Sequence, residues 1–177
     1  MKTLTSLIAL SLIGGAAFFA ISAKPQELMP TSNEKPVQPT KKVVKTDAEW
    51  KKQLTSEQYR IARKGGTESP DGAVYKQFKK QGNGDYYCVG CGAKLFSSST
   101  KFDSRSGWPS FYDRTENVKT VPDPDGFRIE VKCAVCDAHL GHVFKGEGFD
   151  TPTDQRYCIN GTVLKFVPDV VNTKANK

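Results

Sequence analysis

Two matched Cys-x-x-Cys pairs restrict the possible folds of this chain more than any other feature. Cys88 and Cys91 form the first pair, Cys133 and Cys136 the second, and residues 92–132 separate them. Two such pairs supply the four thiolates of a tetrahedral zinc site, so we expect structural zinc. Two disulfides are the alternative, but loops this short would gain little stability from them. A thioredoxin-like redox pair is a weaker alternative, because neither pair lies between a strand and a helix.

The fifth cysteine, Cys158, is left over once the metal has its four ligands. If residues 155–161 form a strand, Arg156, Cys158 and Asn160 lie on one face, whereas Tyr157 and Ile159 lie on the other. A guanidinium near a thiol favours the thiolate, which is the nucleophilic form. The pattern therefore predicts a reactive cysteine, with a small buried core residue as the alternative.

The N-terminal segment has the order of a secretory signal. Lys2 precedes an apolar run over residues 7–21, and small residues follow up to Ala23. This order predicts a signal peptide over residues 1–23 and an exported protein, periplasmic or secreted, with an uncleaved membrane anchor as the alternative. Residues 24–45 are rich in Pro, Lys and polar side chains and predict a flexible tether. Residues 169–177 predict a polar tail.

The positive charge is spread along the chain. Of the net charge of +7, Lys2 contributes +1, residues 24–53 contribute +3 (seven basic against four acidic), and residues 54–177 contribute +3 (18 against 15). No dense basic patch results, so we expect no nucleic-acid partner. Contact with a membrane is expected only if the N-terminal segment is retained. We expect a monomer.

Local patterns predict short helices followed by a mainly β domain over residues 46–168. Thr46 with Glu49, and Thr55 with Gln58, fit the capping box that starts a helix. Gly65 is placed to end the second helix. The β-prone runs that follow cover residues 86–88, 94–96, 127–133, 142–144 and 162–167.

Two further islands carry unusual side chains. The first has Trp108 and Phe111 in a turn-forming stretch, where aromatic rings indicate either a binding wall or core packing. The second contains the two histidines of the chain, His139 and His142. Histidine can donate a proton near neutral pH, although two histidines this close to Cys136 are also alternative metal ligands.

Taken in order, these islands resemble the methionine sulfoxide reductase B family. The resemblance rests on Cys-x-x-Cys, Gly-Trp-Pro-Ser-Phe-Tyr, Cys-x-x-Cys-Asp-Ala-His-Leu-Gly-His-Val-Phe and Arg-Tyr-Cys-Ile-Asn, and it extends from about residue 47 to residue 167. It implies two antiparallel β-sheets, a zinc ion held by the four paired cysteines, and reduction of the R epimer of methionine sulfoxide. The expected substrate is oxidised methionine in proteins or peptides, with free methionine sulfoxide as a further candidate.

The resemblance also implies roles for single residues. Cys158 would be the nucleophile and would become a sulfenic acid when methionine leaves. The two histidines, His139 and His142, would orient or protonate the departing oxygen. Trp108 would pack against the S-methyl group, and we place Phe111 with it as a substrate-binding residue. The remaining polar residues expected in the site are Arg156 and Asn160.

One departure from the family pattern changes the expected recycling step. Many family members carry a second, resolving cysteine where this chain has Ser106. We therefore expect a small thiol or a thioredoxin-like protein to reduce the Cys158 sulfenic acid directly. The alternatives from other classes are a zinc-stabilised binding module, with Trp108 and Phe111 as contact residues, and an exported thiol peroxidase.

Overall fold

The computed structural model describes residues 41–170. The predicted signal peptide, residues 24–40 of the predicted tether and residues 171–177 of the tail lie outside the described residues. Three α-helices come first: α1 (Asp47–Gln53), α2 (Ser56–Lys64) and α3 (Ala73–Lys80). Eight strands follow: β1 (Gly84–Cys88), β2 (Lys94–Ser97), β3 (Ser110–Phe111), β4 (Val118–Pro122), β5 (Ile129–Cys133), β6 (His139–Lys145), β7 (Gln155–Ile159) and β8 (Leu164–Pro168). Short 3₁₀ turns occupy Ser98–Thr100 and Gly161–Val163.

The strands form two antiparallel sheets, as expected. The smaller sheet has the order β2-β1-β8, and the larger has the order β3-β7-β6-β5-β4. Aromatic rings from both sheets meet in the core, where Phe96 stacks on Phe111 at a centroid distance of 4.4 Å and Tyr86 meets Phe111 edge-on at 5.0 Å. The mainly β fold class is therefore confirmed.

The first two helices begin where their capping boxes predict. Thr46 Oγ1 accepts a hydrogen bond from the Glu49 N–H at 3.3 Å, and Thr55 Oγ1 accepts one from the Gln58 N–H at 3.2 Å. Gly65 ends α2 in the left-handed conformation, with φ of 68°. Helix α3 was not predicted, because no side chain caps its N-terminus and it is stabilised by burying aromatic side chains.

Two of the predicted strands begin later than the sequence pattern indicated. The run over residues 127–133 becomes a strand only at Ile129, because the Asp125 carboxylate accepts N–H groups of Phe127 (2.8 Å) and Arg128 (3.0 Å) and holds them in a turn. The run over residues 162–167 begins with a 3₁₀ turn, and β8 starts at Leu164. Local side-chain hydrogen bonds thus compete with the strand pattern.

The N-terminal helices pack beside the second cysteine pair. Trp50 of α1 is buried, and the Arg63 guanidinium of α2 lies 4.8 Å from the centre of its ring. Arg63 also donates a hydrogen bond to the Cys136 carbonyl oxygen at 2.8 Å. This contact ties the helices to the loop that carries two of the four clustered thiols. None of the helices in residues 41–170 is long and apolar enough to cross a membrane.

Candidate active site

The unpaired thiol lies in the middle of a row of polar residues across the larger sheet. Cys158 on β7 is opposite Ser110 on β3 and His142 on β6, and His142 is opposite Glu130 on β5. Directly opposed residues of antiparallel strands project to the same side of the sheet. Tyr157, the neighbour of Cys158, is buried on the core side with Phe111 as its strand partner. The alternation predicted from the sequence is therefore present.

Two glycines allow the backbone around this row to approach closely. A Cβ atom at Gly141 would collide with the carbonyl oxygen of Cys158, so only glycine lets β6 lie this near to β7. Gly107 has φ of 88°, and a Cβ atom there would lie 2.7 Å from Pro70. The loop carrying Trp108 therefore turns at a position that requires glycine.

Burial raises the pKa of the Cys158 thiol above its ordinary value. The positive charge of Arg156 opposes this effect but does not outweigh it, while the nearby Glu147 carboxylate adds to it. Arg156 acts in the direction that the sequence predicts, but burial outweighs its effect. The reason is that a half-buried sulfur loses solvation that one guanidinium does not replace.

Arg156 is held firmly by contacts of its own. Its Nε and Nη2 donate to the two carboxylate oxygens of Glu147, each at 2.8 Å, and its guanidinium lies 4.5 Å from the centre of the Phe144 ring. This fork-to-fork pairing fixes the guanidinium beside the sulfur and shares its charge with a carboxylate. Because Glu147 neutralises part of its charge, Arg156 favours the Cys158 thiolate less than an unpaired guanidinium would.

Each histidine pairs with a carboxylate. His142 Nε2 lies 2.6 Å from Asp123 Oδ2, and His139 Nδ1 lies 2.7 Å from Glu130 Oε1. The two rings are 5.5 Å apart. Burial lowers the pKa of His139 and outweighs the opposing effect of Glu130, so His139 is neutral near pH 7. The bond from His142 lowers the pKa of Asp123.

The surroundings of the two histidines differ. His142 lines a cavity of about 150 Å³ together with Cys158, Trp108, Asn160 and Phe144. His139 lines an adjoining polar basin of about 500 Å³, which His142 also borders. The Nε2 atom of His139 is buried and has no hydrogen-bond partner among the atoms of residues 41–170. Of the two histidines, His142 lines the cavity that contains the Cys158 thiol, and His139 does not.

The two predicted substrate-binding aromatic residues separate in the structure. Trp108 lines the cavity, and its Nε1–H donates to the Glu68 carbonyl oxygen at 3.0 Å, which fixes the plane of the indole. Phe111 is fully buried between the sheets, stacked on Phe96. The expectation that Phe111 binds substrate is wrong, because its position on β3 points its ring to the core side.

Asn160 lies in the cavity wall, but its amide is engaged by the backbone. Its Oδ1 accepts the Glu68 N–H at 2.9 Å, and its Nδ2 donates to the Leu140 carbonyl oxygen at 3.0 Å. These bonds hold the segment after Cys158 against β6 and the Glu68 loop. The structure therefore places Asn160 in a positioning role, beside the thiol and not free to move toward a ligand.

Glu68 is a buried residue that the sequence analysis did not single out. Its carboxylate accepts hydrogen bonds from the N–H groups of Gly161 (2.7 Å) and Thr162 (2.8 Å), and from the Thr162 hydroxyl. Together, the Glu68 and Asn160 side chains hold the turn that directly follows β7, and we call this group of hydrogen bonds the clamp. The other residues that the sequence analysis missed come from separate loops and strands: Thr67, Asp123, Arg128, Glu130 and Phe144.

The four paired cysteines converge on one point. All four sulfur atoms lie within 4.8 Å of one another, with Cys88 and Cys136 sulfurs 3.7 Å apart and Cys91 and Cys133 sulfurs 3.6 Å apart. Four ligands about 2.3 Å from a tetrahedral zinc ion are separated by roughly 3.8 Å, so the cluster fits that ion. Neither histidine belongs to the cluster.

Comparisons with known proteins agree with this arrangement. A family model described as the SelR domain matches residues 54–168. Peptide methionine sulfoxide reductase B5 of Oryza sativa subsp. japonica is 51% identical over 125 residues, which cover 70% of this chain and 90% of that protein. Peptide methionine sulfoxide reductase B5 of Arabidopsis thaliana is 50% identical over 127 residues, or 71% of this chain and 90% of that protein.

Other matches cover a smaller share of the relative or are more distant. The chloroplastic peptide methionine sulfoxide reductase B2 of Arabidopsis thaliana is 53% identical over 128 residues, which cover 72% of this chain but 62% of that protein. A solved structure, the "Yippee-like" domain of Mis18, aligns with 18% identity and a TM-score of 0.36 over 48% of this chain and 95% of that domain. That likeness carries no argument about fold or function.

Proposed function

This chain belongs to the methionine sulfoxide reductase B family, and we propose that it reduces the R epimer of methionine sulfoxide at Cys158. The observation that carries the proposal is the cavity shared by Cys158, His142 and Trp108. It joins a nucleophile, a group able to donate a proton, and an apolar wall for a methyl group.

The first step oxidises the enzyme and reduces the substrate. The Cys158 thiolate attacks the sulfoxide sulfur and forms an S–S bond while the sulfoxide oxygen takes up a proton. The resulting hydroxyl then moves to the Cys158 sulfur as the S–S bond and the original S–O bond break, which leaves Cys158 as a sulfenic acid. Methionine leaves with its sulfur reduced by two electrons. The oxygen needs a proton as it departs, and His142 is the donor we favour, because it borders the cavity whereas His139 borders the adjoining basin.

The Asp123 carboxylate suits His142 to that task. The bond between Nε2 and Asp123 holds the ring in place and leaves Nδ1 as the nitrogen that can pass a proton to the substrate. We expect His142→Asn to lower kcat by about 10²-fold or more, as loss of a general acid does, and His139→Asn to lower it less. An equal loss in both variants would contradict the assignment of the proton donor to His142.

The second step needs reducing equivalents from outside the chain. Two external thiols reduce the sulfenic acid to the thiol, with release of water and formation of a disulfide between them. Ser106 occupies the position of a resolving cysteine, and the four remaining cysteines are committed to the metal cluster. A small thiol or a thioredoxin-like protein is the proposed donor.

The deciding experiment uses separated R and S epimers of a methionine-sulfoxide peptide with dithiothreitol. We expect consumption of the R epimer alone, and no turnover by Cys158→Ser. Without a reductant, one equivalent of methionine should form per chain, and a sulfenic-acid reagent such as dimedone should label the tryptic fragment that begins at Tyr157. Turnover by Cys158→Ser would refute the mechanism.

The metal cluster has a structural role in this proposal. Zinc held by Cys88, Cys91, Cys133 and Cys136 would join the end of β1 to the end of β5, one strand from each sheet. When bound, zinc supplies cross-links between elements distant in sequence. One zinc ion per chain, measured by elemental analysis of the purified protein, is the expected stoichiometry.

The N-terminal sequence supports repair of oxidised proteins outside the cytoplasm. Lys2, the apolar run and Ala23 follow the order of an export signal, and a polar segment precedes the reductase domain. N-terminal sequencing of the protein from an extracytoplasmic fraction should find a chain that starts at Lys24. Recovery of the chain only from the cytoplasm would contradict export.

A further inference from the structure

A second cavity, with a volume of about 200 Å³, lies between helix α3, the smaller sheet and the 3₁₀ turn after β7. We call it the α3 cavity. Its walls are formed by Val74, Gln77, Phe78, Gln81, Tyr86, Gly161, Leu164 and Phe166. None of these residues lines the cavity that contains Cys158, so the two cavities are separate sites.

Two residues of the α3 cavity carry a buried polar atom that has no hydrogen-bond partner among the atoms of residues 41–170. These atoms are the Tyr86 hydroxyl oxygen and Gln81 Oε1. Tyr86 is only 1% exposed, so bulk water does not solvate its hydroxyl. A phenol hydroxyl needs an acceptor and an amide oxygen needs a donor, and buried groups of both kinds are ordinarily paired. Two such atoms on residues of one cavity indicate a partner that the chain itself does not supply.

The Tyr86 hydroxyl is a hydrogen-bond donor at neutral pH. Burial raises the pKa of its phenol well above the ordinary value, so the group keeps its proton. The ring is packed among aromatic neighbours, with the ring centres of Phe78, Phe111 and Phe166 at 5.6, 5.0 and 5.0 Å. This packing keeps the hydroxyl from moving to an acceptor elsewhere.

The backbone of Gln81 is fixed at the end of α3. Its N–H donates to the Phe78 carbonyl oxygen at 3.1 Å, and Lys101 Nζ donates to the carbonyl oxygens of Phe78 and Gln81 at 2.6 and 2.9 Å. The Gln81 side chain therefore starts from a fixed point in the cavity wall.

The lining of the α3 cavity defines the chemistry of its ligand. None of the eight lining side chains is charged at neutral pH, so we expect an uncharged ligand. Val74, Phe78, Leu164 and Phe166 offer apolar contact, beside which water would have few hydrogen-bond partners. A cavity of about 150 Å³ can hold a molecule of the size of benzene, so the α3 cavity has room for one six-membered ring.

We propose that the α3 cavity is a second ligand site, which takes a small uncharged ring compound that carries a hydroxyl group. The ligand hydroxyl accepts a hydrogen bond from Tyr86 and donates one to Gln81, while the ring packs against the apolar side chains. Gly161 lines this cavity, and its N–H is part of the clamp. A bound molecule therefore contacts the turn that follows β7, and binding should raise the Tm of the domain.

Titration with phenol, followed by two-dimensional NMR of the zinc-loaded, ¹⁵N-labelled chain, tests the proposal. At millimolar phenol we expect saturable shifts of the backbone N–H signals of Phe78, Gln81 and Leu164. Toluene has the same ring without the hydroxyl and is the control ligand. Tyr86→Phe should weaken phenol binding about fivefold, because it removes one hydrogen bond, and should leave toluene binding unchanged. Gln81→Leu should have the same two effects.

The ligand-free Tyr86→Phe variant provides a second readout. The substitution removes an unpaired hydroxyl and leaves the ring, so the variant should fold and should unfold at a urea concentration equal to or above that of the wild type. A lower midpoint would show that the hydroxyl already has a partner and would overturn the proposal.

Three results of the titration would also contradict a ligand site in the α3 cavity. They are the absence of saturable shifts with phenol, saturable shifts confined to residues of the other cavity such as His142 and Phe144, and equal phenol affinity in the wild type and Tyr86→Phe. The proposed reductase function is tested separately, since Cys158→Ser should bind phenol with wild-type affinity whether or not it retains turnover.

Discussion

Replacing Glu68 with glutamine should destabilise the domain although the two side chains have nearly the same shape. The carboxylate accepts three hydrogen bonds, from the N–H groups of Gly161 and Thr162 and from the Thr162 hydroxyl. A glutamine keeps one accepting oxygen and presents an NH₂ group to the other donors. The Thr162 hydroxyl can turn to accept from that group, but one backbone N–H is left buried and unpaired.

The expected loss of stability follows from the number of donors that are left without an acceptor. One buried unpaired N–H costs about 1–3 kcal/mol, and the remaining bond loses the extra strength that a charged acceptor gives. We therefore expect Glu68→Gln to lower the free energy of unfolding by about 2–3 kcal/mol, and Glu68→Ala, which leaves three donors unpaired, to lower it further. For a domain of this size the first change corresponds to a fall in Tm of roughly 10 °C.

Urea denaturation of the zinc-loaded chain at pH 7, followed by far-UV circular dichroism, measures this change. The matched control is Glu57→Gln on α2, because Glu57 pairs with Arg60 at the surface and both side chains are about half exposed. Its unfolding midpoint should equal that of the wild type. If Glu68→Gln unfolds at the same urea concentration as Glu57→Gln, with an unchanged slope, the clamp contributes nothing and the reasoning is refuted.

Three further predictions concern recycling, pH and the metal. Ser106→Cys should form a disulfide with Cys158 after one turnover, because position 106 is where many members of the family carry the resolving cysteine; peptide mapping would detect it, and an introduced thiol that stays free after turnover would contradict a resolving role for that position. Burial lowers the pKa of His139, so its neutral form stabilises the fold fully above about pH 6.5 and this contribution is lost as the pH falls below that value. The midpoint of urea unfolding should therefore fall less between pH 7 and pH 5 in His139→Gln than in the wild type. Removing the metal with a chelator under reducing conditions should unfold the domain, since the four thiols join β1 to β5; a cooperative unfolding transition that survives at wild-type Tm would show that the metal is dispensable.

Residues whose role depends on near neighbours in the sequence were predicted well. The capping boxes at Thr46 and Thr55 and the left-handed Gly65 are satisfied within three to five residues, so the sequence specifies them directly. The four cysteines were identified because zinc ligation requires one residue type at a fixed spacing. The alternation around Cys158 was correct for the same reason, since the period of a strand is local.

Errors and omissions arose where the answer depends on strand register or on opposing free-energy terms. Phe111 was assigned to the substrate because its loop is rich in aromatic residues, yet its pairing with Tyr157 turns it into the core. The net pKa of Cys158 depends on how deeply the folded chain buries the sulfur, which Arg156 alone does not reveal. No spacing rule connects Glu68 to Gly161 and Thr162, which lie more than 90 positions away.

Residue types at short, fixed spacings were enough to establish the family, the candidate zinc ligands, the candidate nucleophile and the mainly β architecture. The folded chain was needed to learn which histidine shares a cavity with Cys158 and which carboxylate orients each ring. These features arise from the pairing of β3, β7, β6 and β5. Strand register is set by packing over the whole sheet, and a shift of one residue would turn every one of these side chains to the opposite face.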